Sequence, residues 1–190
     1  MSETLTSKIE RMLNDEGHVQ GVVRRDVPML CADWGAKDED ALVHTLGVNL
    51  LAALGRSFGE VGVSEFPVPR AQQWQRKLVR VDSAWFSYET RKPTLLAEFE
   101  RFSRETAIEK LTNLCVAAHG CDAVPEVLLL CLWSTDGKSV EAPWLKPNEP
   151  LSVPGGPPVT KPTESNVFIV HAVFGRRGEQ LHFLRFRRLT

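Results

Sequence analysis

A near-continuous apolar run at residues 125–133, Pro-Glu-Val-Leu-Leu-Leu-Cys-Leu-Trp, limits what this chain can fold into more than any other feature. A strand without polar alternation is covered on both faces, which is typical of a central and often parallel position in a sheet. A helical stripe of apolar residues lies just before the run, at residues 105–118. We therefore expect a helical crossover that leads into a buried central strand.

Two shorter β-rich runs, residues 79–88 and 93–101, precede that helix and predict an antiparallel hairpin. Asp82 lies inside the first run, and Glu98 and Glu100 lie inside the second. Residues two apart on a strand share a face, so both glutamates should point the same way. Carboxylates on neighbouring strands supply the oxygen ligands that a hard divalent cation prefers.

The remaining sequence predicts further elements around this hairpin. In chain order they are a short amphipathic helix over 2–16, a mixed connection over 18–36, a core-facing helix over 38–58, a strand near a sheet edge over 60–68, a polar connector over 70–77, a Pro-rich irregular loop over 143–162, and a C-terminal hairpin of strands 166–174 and 180–189 with a basic tip. The predicted fold class is α+β, with a mixed central sheet flanked by helices.

Composition places the chain among ordinary globular proteins. Its 190 residues suit one domain, and its apolar fraction of 43% is typical. A net charge of −1 argues against a surface that is basic throughout, although the C-terminal hairpin carries a basic patch. No apolar run approaches the roughly 20 residues that cross a bilayer. We expect a cytoplasmic protein without a membrane partner.

The four cysteines, Cys31, Cys115, Cys121 and Cys131, contain no C-x-x-C pair. Reduced cysteine behaves as a small hydrophobe, so core packing is the favoured role. The spacing Cys115-x3-His119-x-Cys121 offers half of a zinc site, but the sequence contains no evident second half.

Two acidic positions outside the hairpin have alternative interpretations. Residues 38–40 are Asp-Glu-Asp, and acids at a helix start are stabilised by the helix dipole. Alternatively, Glu39 shares a face with Val43 and points inward at a site. Glu65, in the predicted edge strand, either faces solvent or joins the metal-side acids, and solvent is favoured because edge strands carry charges.

The order of the predicted elements resembles that of the PD-(D/E)xK nuclease superfamily. The order is a helix with an early acid, three antiparallel strands bearing Asp and then Glu-x-Glu, a helix and a core strand. This superfamily includes restriction endonucleases, Holliday-junction resolvases and repair nucleases, which share an αβββαβ core. The resemblance covers residues 38–134. It implies one restriction endonuclease-like domain, with an N-terminal helix and connection (1–37), a Pro-rich loop (135–165) and a C-terminal hairpin (166–190) added.

Site residues follow from the resemblance. It implies that Asp82 is a bridging metal ligand, that Glu98 is the second carboxylate ligand and that the carbonyl of Phe99 is a further ligand. Glu39 would match the acid that some members place on their first helix. The implied cofactor is Mg²⁺ or Mn²⁺.

The sequence departs from the motif at two positions. Val81 stands where the motif name has Pro, and Glu100 replaces the usual Lys. Some restriction enzymes of the superfamily use Glu-x-Glu. The sequence leaves open whether Glu100, Lys110 on the following helix, or neither helps to generate the nucleophile.

The implied function is a metal-dependent endonuclease that cuts DNA rather than RNA. Phosphate contacts would come from basic residues. These are Arg76, Lys77, Arg80, Arg101, Arg104, Arg176 and Arg177. Cutting both strands would need a homodimer.

Two alternatives stand beside this interpretation. The acids could line a solvated sheet face, paired with Arg80 and Arg101 across strands. The protein could also be a catalytically inactive, nuclease-fold subunit of a larger nucleic-acid-processing complex. The sequence contains no phosphate loop, nucleophile elbow or dinucleotide fingerprint that favours another enzyme class.

Overall fold

The computed structural model describes residues 4–69, 78–135 and 140–189. They form an α+β protein with four α-helices, one 3-10 turn at Pro28–Leu30 and a seven-stranded mixed sheet. The helices are α1 (Leu5–Asn14), α2 (Glu16–Asp26), α3 (Asp40–Ser57) and α4 (Arg104–Gly120). The strands are β1 (Ala36–Lys37), β2 (Val61–Pro69), β3 (Leu78–Phe86), β4 (Pro93–Arg101), β5 (Val127–Thr135), β6 (Asn166–Arg177) and β7 (Gln180–Arg188). None of these described helices has the length and apolar character needed to cross a membrane.

The strand order across the sheet is β1-β7-β6-β5-β4-β3-β2. Strands β2, β3 and β4 pair antiparallel, β5 lies parallel to both β4 and β6, and β6 and β7 form the C-terminal hairpin. The expected central parallel strand is therefore confirmed as β5, and α4 is the crossover that joins it to β4. Strand β2 lies at one end of the order, as predicted for an edge strand.

The sheet is buried on both faces, which explains the absence of polar alternation in β5. Leu129 and Cys131 belong to a core shared with α1, α2 and α3. Leu128 and Leu130 belong to a second core shared with α4. The Pro-rich segment is irregular, as predicted, and its buried apolar side chains extend this second core. These side chains are Ala142, Leu145, Val153 and Val159.

The N-terminal region differs from the sequence prediction. The first helix ends at Asn14, and residues 18–26 of the expected connection belong to α2. The side chain of Asp15 accepts a hydrogen bond from the backbone N–H of His18 at 2.9 Å and starts α2. Val19, Val22 and Val23 then bury one helical face, and this contact outweighs the cost of a glycine in the helix.

Helix α3 approaches β4 closely at Gly47. A Cβ atom at this position would lie 2.1 Å from Cε1 of Phe99, whose side chain is fully buried. The close approach holds α3 against the strand that carries Glu98 and Glu100. Gly21, on α2, has no atom within 4 Å of the corresponding position.

We predict opposite effects of alanine at these two glycines. Gly21→Ala should stabilise the protein by about 0.5–1 kcal/mol, because glycine loses more backbone entropy in a helix. Gly47→Ala should destabilise it by about 1–3 kcal/mol, because the added methyl group displaces Phe99. Urea denaturation of the two variants measures both changes. An increase in stability for Gly47→Ala would contradict the packing described for α3 and β4.

Candidate functional site

Strands β3 and β4 stop pairing at the position of the predicted acids. Their register runs from Phe86 and Pro93 to Ser83 and Ala97, and Asp82 is the next residue on β3. One carboxylate oxygen of Asp82, Oδ2, accepts the backbone N–H of Phe99 at 2.8 Å. The side chain thus takes the place of a backbone acceptor, and a buried carboxylate is held where the two strands part.

Helix α4 brings a lysine to the three acids. Nζ of Lys110 lies 2.9 Å from Oε2 of Glu98, 3.1 Å from Oε1 of Glu100 and 4.0 Å from Oδ2 of Asp82. Glu98 is fully buried, and Glu100 is partly exposed. The structure therefore brings together four of the five predicted catalytic residues.

Helix α3 contributes a histidine that sequence reasoning missed. Nε2 of His44 lies 3.3 Å from Oδ2 of Asp82 and 3.9 Å from Oε1 of Glu100. The available signal was a histidine within the otherwise apolar core-facing stripe of α3. His44, Asp82, Glu98, Glu100 and Lys110 are called the carboxylate cluster below.

Burial and mutual charge shift the pKa values of the acids in opposite directions. Burial, followed by the charge of Asp82, raises the pKa of Glu98 well above its ordinary range. Burial also opposes ionisation of Asp82, but the hydrogen bond from His44 and the charge of Lys110 lower its pKa overall. Two neighbouring carboxylates with divergent pKa values are a common feature of catalytic sites.

The pKa values of the two basic groups of the cluster are raised. Burial acts to lower the pKa of Lys110, but the charges of Glu98 and Asp82 outweigh it and raise the pKa above its ordinary value. The hydrogen bond to Asp82 raises the pKa of His44. Both shifts favour the charged forms, and Lys110 compensates the charge of the acids that it contacts.

The cluster has a donor set that fits a divalent cation. Ligand atoms of His44, Asp82 and Glu100 all lie within 4.8 Å of one another, and the described residues contain no other group of this kind. Oε1 of Glu98 is buried and has no hydrogen-bond partner among the described residues. The ligand role implied for the carbonyl oxygen of Phe99 stays a prediction. Phe99 contacts Asp82 through its backbone N–H.

The solvated-face interpretation is wrong for two of the acids. Asp82 is 8% exposed and Glu98 is fully buried. The arginines that would have paired with them have other partners: Arg80 binds Glu65 at 2.9 Å, and Arg101 binds Asp40. Glu65 faces solvent, as favoured from the sequence.

Glu39 lies apart from the carboxylate cluster. Its side chain is exposed, and one of its oxygens lies 3.5 Å from Nζ of Lys37. Glu39 occupies the N-cap position of α3 but makes no side-chain capping hydrogen bond. The side chain of α3 that reaches the carboxylate cluster is that of His44, which lies more than one helical turn after Glu39.

Several of the predicted phosphate-binding residues already have partners within the protein. The guanidinium of Arg104 lies over the ring of Trp144, 5.1 Å from its centroid, and Arg176 pairs with Asp38. Arg177 is exposed near the hairpin tip. The predictions for Arg76 and Lys77 fall outside the described residues.

The cysteines are free thiols without the features of a metal site or a nucleophile. Cys31, Cys115 and Cys131 are buried, as core packing requires. Burial raises the pKa of Cys115 to about 12 and that of Cys121 to about 11. Nε2 of His119 lies 2.9 Å from the carbonyl oxygen of Thr160, and this residue belongs to no potential metal-binding group of the described chain.

Comparisons with protein-family models, with curated proteins and with solved structures found no match to this chain.

Lys110→Met should destabilise the metal-free protein by about 3–5 kcal/mol, because it leaves Glu98 buried without its cation. Adding Glu98→Gln should recover part of the loss, since a neutral amide costs less to bury. Urea denaturation in EDTA measures both effects. Lys146→Met is the control: Lys146 pairs with Glu149 at 2.8 Å on the exposed surface, so this change should leave stability nearly unaltered. Equal losses for the two lysines would contradict the proposed charge compensation.

A second buried polar pair lies on β5 and β6. Nε2 of His171 is 2.8 Å from Oγ of Ser134, and His171 is only 3% exposed. Burial, followed by the charge of Arg187, lowers the pKa of His171 to about 4. His171 is therefore neutral in the folded protein at neutral pH.

This pair predicts a loss of stability in mild acid. The unfolded chain binds a proton on His171 near pH 6.5, whereas the folded chain binds it only near pH 4. The free energy of unfolding should therefore fall between these pH values, by at most about 3 kcal/mol. His171→Gln should remove this part of the dependence, which urea denaturation at steps from pH 4 to pH 7 would show. Parallel profiles for the two proteins would contradict the prediction.

Proposed function

We propose that this protein is a metal-dependent nuclease with a restriction endonuclease-like core. The observation that carries the proposal is the convergence of Asp82, Glu98 and Glu100 with Lys110 at the point where β3 and β4 part. The element order α3-β2-β3-β4-α4-β5 supports it, because the three antiparallel strands and the parallel fourth match the αβββαβ arrangement.

His44, Asp82 and Glu100 are the proposed metal ligands, and Glu98 supplies a further carboxylate oxygen. A bound divalent cation would stabilise the charge that develops on the phosphate and lower the pKa of a bound water. An imidazole ligand suits transition metals, whereas Mg²⁺ prefers oxygen donors. We therefore expect Mn²⁺ to support activity better than Mg²⁺.

Lys110 takes the role of the lysine that the motif lacks at Glu100. A lysine with a raised pKa keeps its proton at neutral pH and cannot accept one from water. Its chemical use is to donate hydrogen bonds and to place a positive charge beside the reacting phosphate. Glu100, which is partly exposed and within 3.1 Å of Lys110, remains the better candidate to orient the attacking water.

DNA is the proposed substrate, and a reducing cytoplasm is the proposed location, which the four free cysteines support. Cutting of both strands of a duplex would require two copies of the chain, each with one carboxylate cluster.

We expect the purified protein to cleave DNA in Mn²⁺ and not in EDTA. His44→Ala and Asp82→Asn should each reduce the rate by about 100-fold or more, because each removes a metal ligand. Glu65→Gln changes an exposed acid on the neighbouring strand and should leave the rate unchanged. Gel assays on supercoiled and linear DNA, single-stranded DNA and RNA measure cleavage and its substrate class. Undiminished cleavage by Asp82→Asn would exclude this site.

The alternative is a non-catalytic binding or assembly subunit. The observation that favours it is that Lys110 lies 2.9 Å from Glu98 and 3.1 Å from Glu100 and compensates their charge without a metal ion. Calorimetric titration with Mn²⁺ separates the two functions. Mn²⁺ binding that His44→Ala abolishes would support the nuclease. If the wild type shows no Mn²⁺ binding and no cleavage, the result favours the subunit.

A further inference from the structure

An exposed tryptophan lies beside a groove on the α2–α3 side of the sheet. Trp34 is 57% exposed, although an indole of this size is usually covered in a folded protein. The groove has a volume of about 390 Å³. Its lining includes Met29, Trp34, Leu46, Asn49, Arg56 and Ser64.

The turn that carries Trp34 is held in place. The backbone N–H of Trp34 and that of Gly35 both donate to the carbonyl oxygen of Cys31, at 3.2 and 2.8 Å. Gly35 has φ +79°, and a Cβ there would lie 2.8 Å from Cβ of Gln180, so the turn packs directly on β7. A preorganised aromatic surface loses little entropy when it stacks with a planar ligand.

Asn49, Arg56 and Ser64 of the groove suit a nucleobase, and the one acid of the lining, Asp26, is paired with Arg25 at 2.7 Å. Asn49 is exposed, and its side-chain amide offers both a donor and acceptors, which can pair with a base edge. Arg56 is exposed and brings a positive charge. Oγ of Ser64 donates to Oδ1 of Asn49 at 3.3 Å and orients the amide across the groove.

One wall of the groove lies near the carboxylate cluster. Ser64, which lines the groove, pairs in register with Ser83, the neighbour of Asp82. The distance between paired strands and the rise per residue along a strand place Ser64 and Asp82 within about 10 Å of each other. A base in the groove could therefore belong to a nucleotide next to the phosphate at the cluster.

We propose that this groove binds an unpaired nucleobase of a single-stranded nucleic acid, stacked on Trp34 and contacted at its edge by Asn49. The inference rests on the proposed nuclease function and adds a substrate class to it: single strands, or the unpaired regions of a duplex. Stacking on an aromatic side chain accepts every base, so little sequence preference is expected.

The test is fluorescence anisotropy with a labelled twelve-residue oligothymidylate, an abasic oligonucleotide of the same length and a duplex, all in EDTA. Trp34→Ala should weaken binding of oligothymidylate by about 5- to 100-fold. Trp34→Phe should recover most of the affinity, because its ring also stacks. Neither variant should change binding of the abasic strand. Tyr88→Ala, which removes an 80%-exposed aromatic ring on the β3–β4 turn, is the matched control and should bind like the wild type.

Three results would overturn the inference. They are a change of less than two-fold for Trp34→Ala, an equal loss on the abasic strand, and an equal loss on the duplex. If any of these occurs while the wild type still cleaves in Mn²⁺, the groove assignment fails and the nuclease function stands. If the wild type neither binds nor cleaves any nucleic acid, both fail.

Discussion

The structure depends on the neutralisation of a carboxylate that β4 carries into the protein interior. Glu98 is fully buried, and an isolated charge there would cost several kcal/mol. Lys110 compensates it at 2.9 Å. Because Lys110 belongs to the crossover helix, this pair ties α4 to β4, and the same helix sets the parallel position of β5. One ion pair thus connects the core topology with the candidate site.

The separation of β3 and β4 makes room for the carboxylate cluster. Asp82 accepts the N–H of Phe99 in place of a backbone carbonyl, so the sheet opens without leaving that donor unsatisfied. Helices α3 and α4 cover opposite faces of the sheet, yet both send a side chain into the opening. A site formed in this way can be reached from its edge while its acids stay anchored in buried strands.

Charge compensation links the stability of the cluster to its proposed activity. Lys110 compensates part of the acidic charge, and the raised pKa of Glu98 reflects first its burial and then repulsion by Asp82. A divalent cation would relieve that repulsion, and Lys110 could then turn towards a substrate phosphate. The same acids therefore make the site costly to keep empty and suited to bind a metal.

The sequence by itself determined the order of most elements, because local periodicity encodes which faces are buried. The continuous apolar run predicted β5 as a central parallel strand, and the acid positions predicted three members of the cluster. Helix α2 was missed because its glycines obscured a short valine stripe. His44 was missed, and the contacts of Lys110 were left open, because only tertiary structure decides them. Strand register and helix packing bring residues up to 66 positions apart to one point, and no local pattern records that distance.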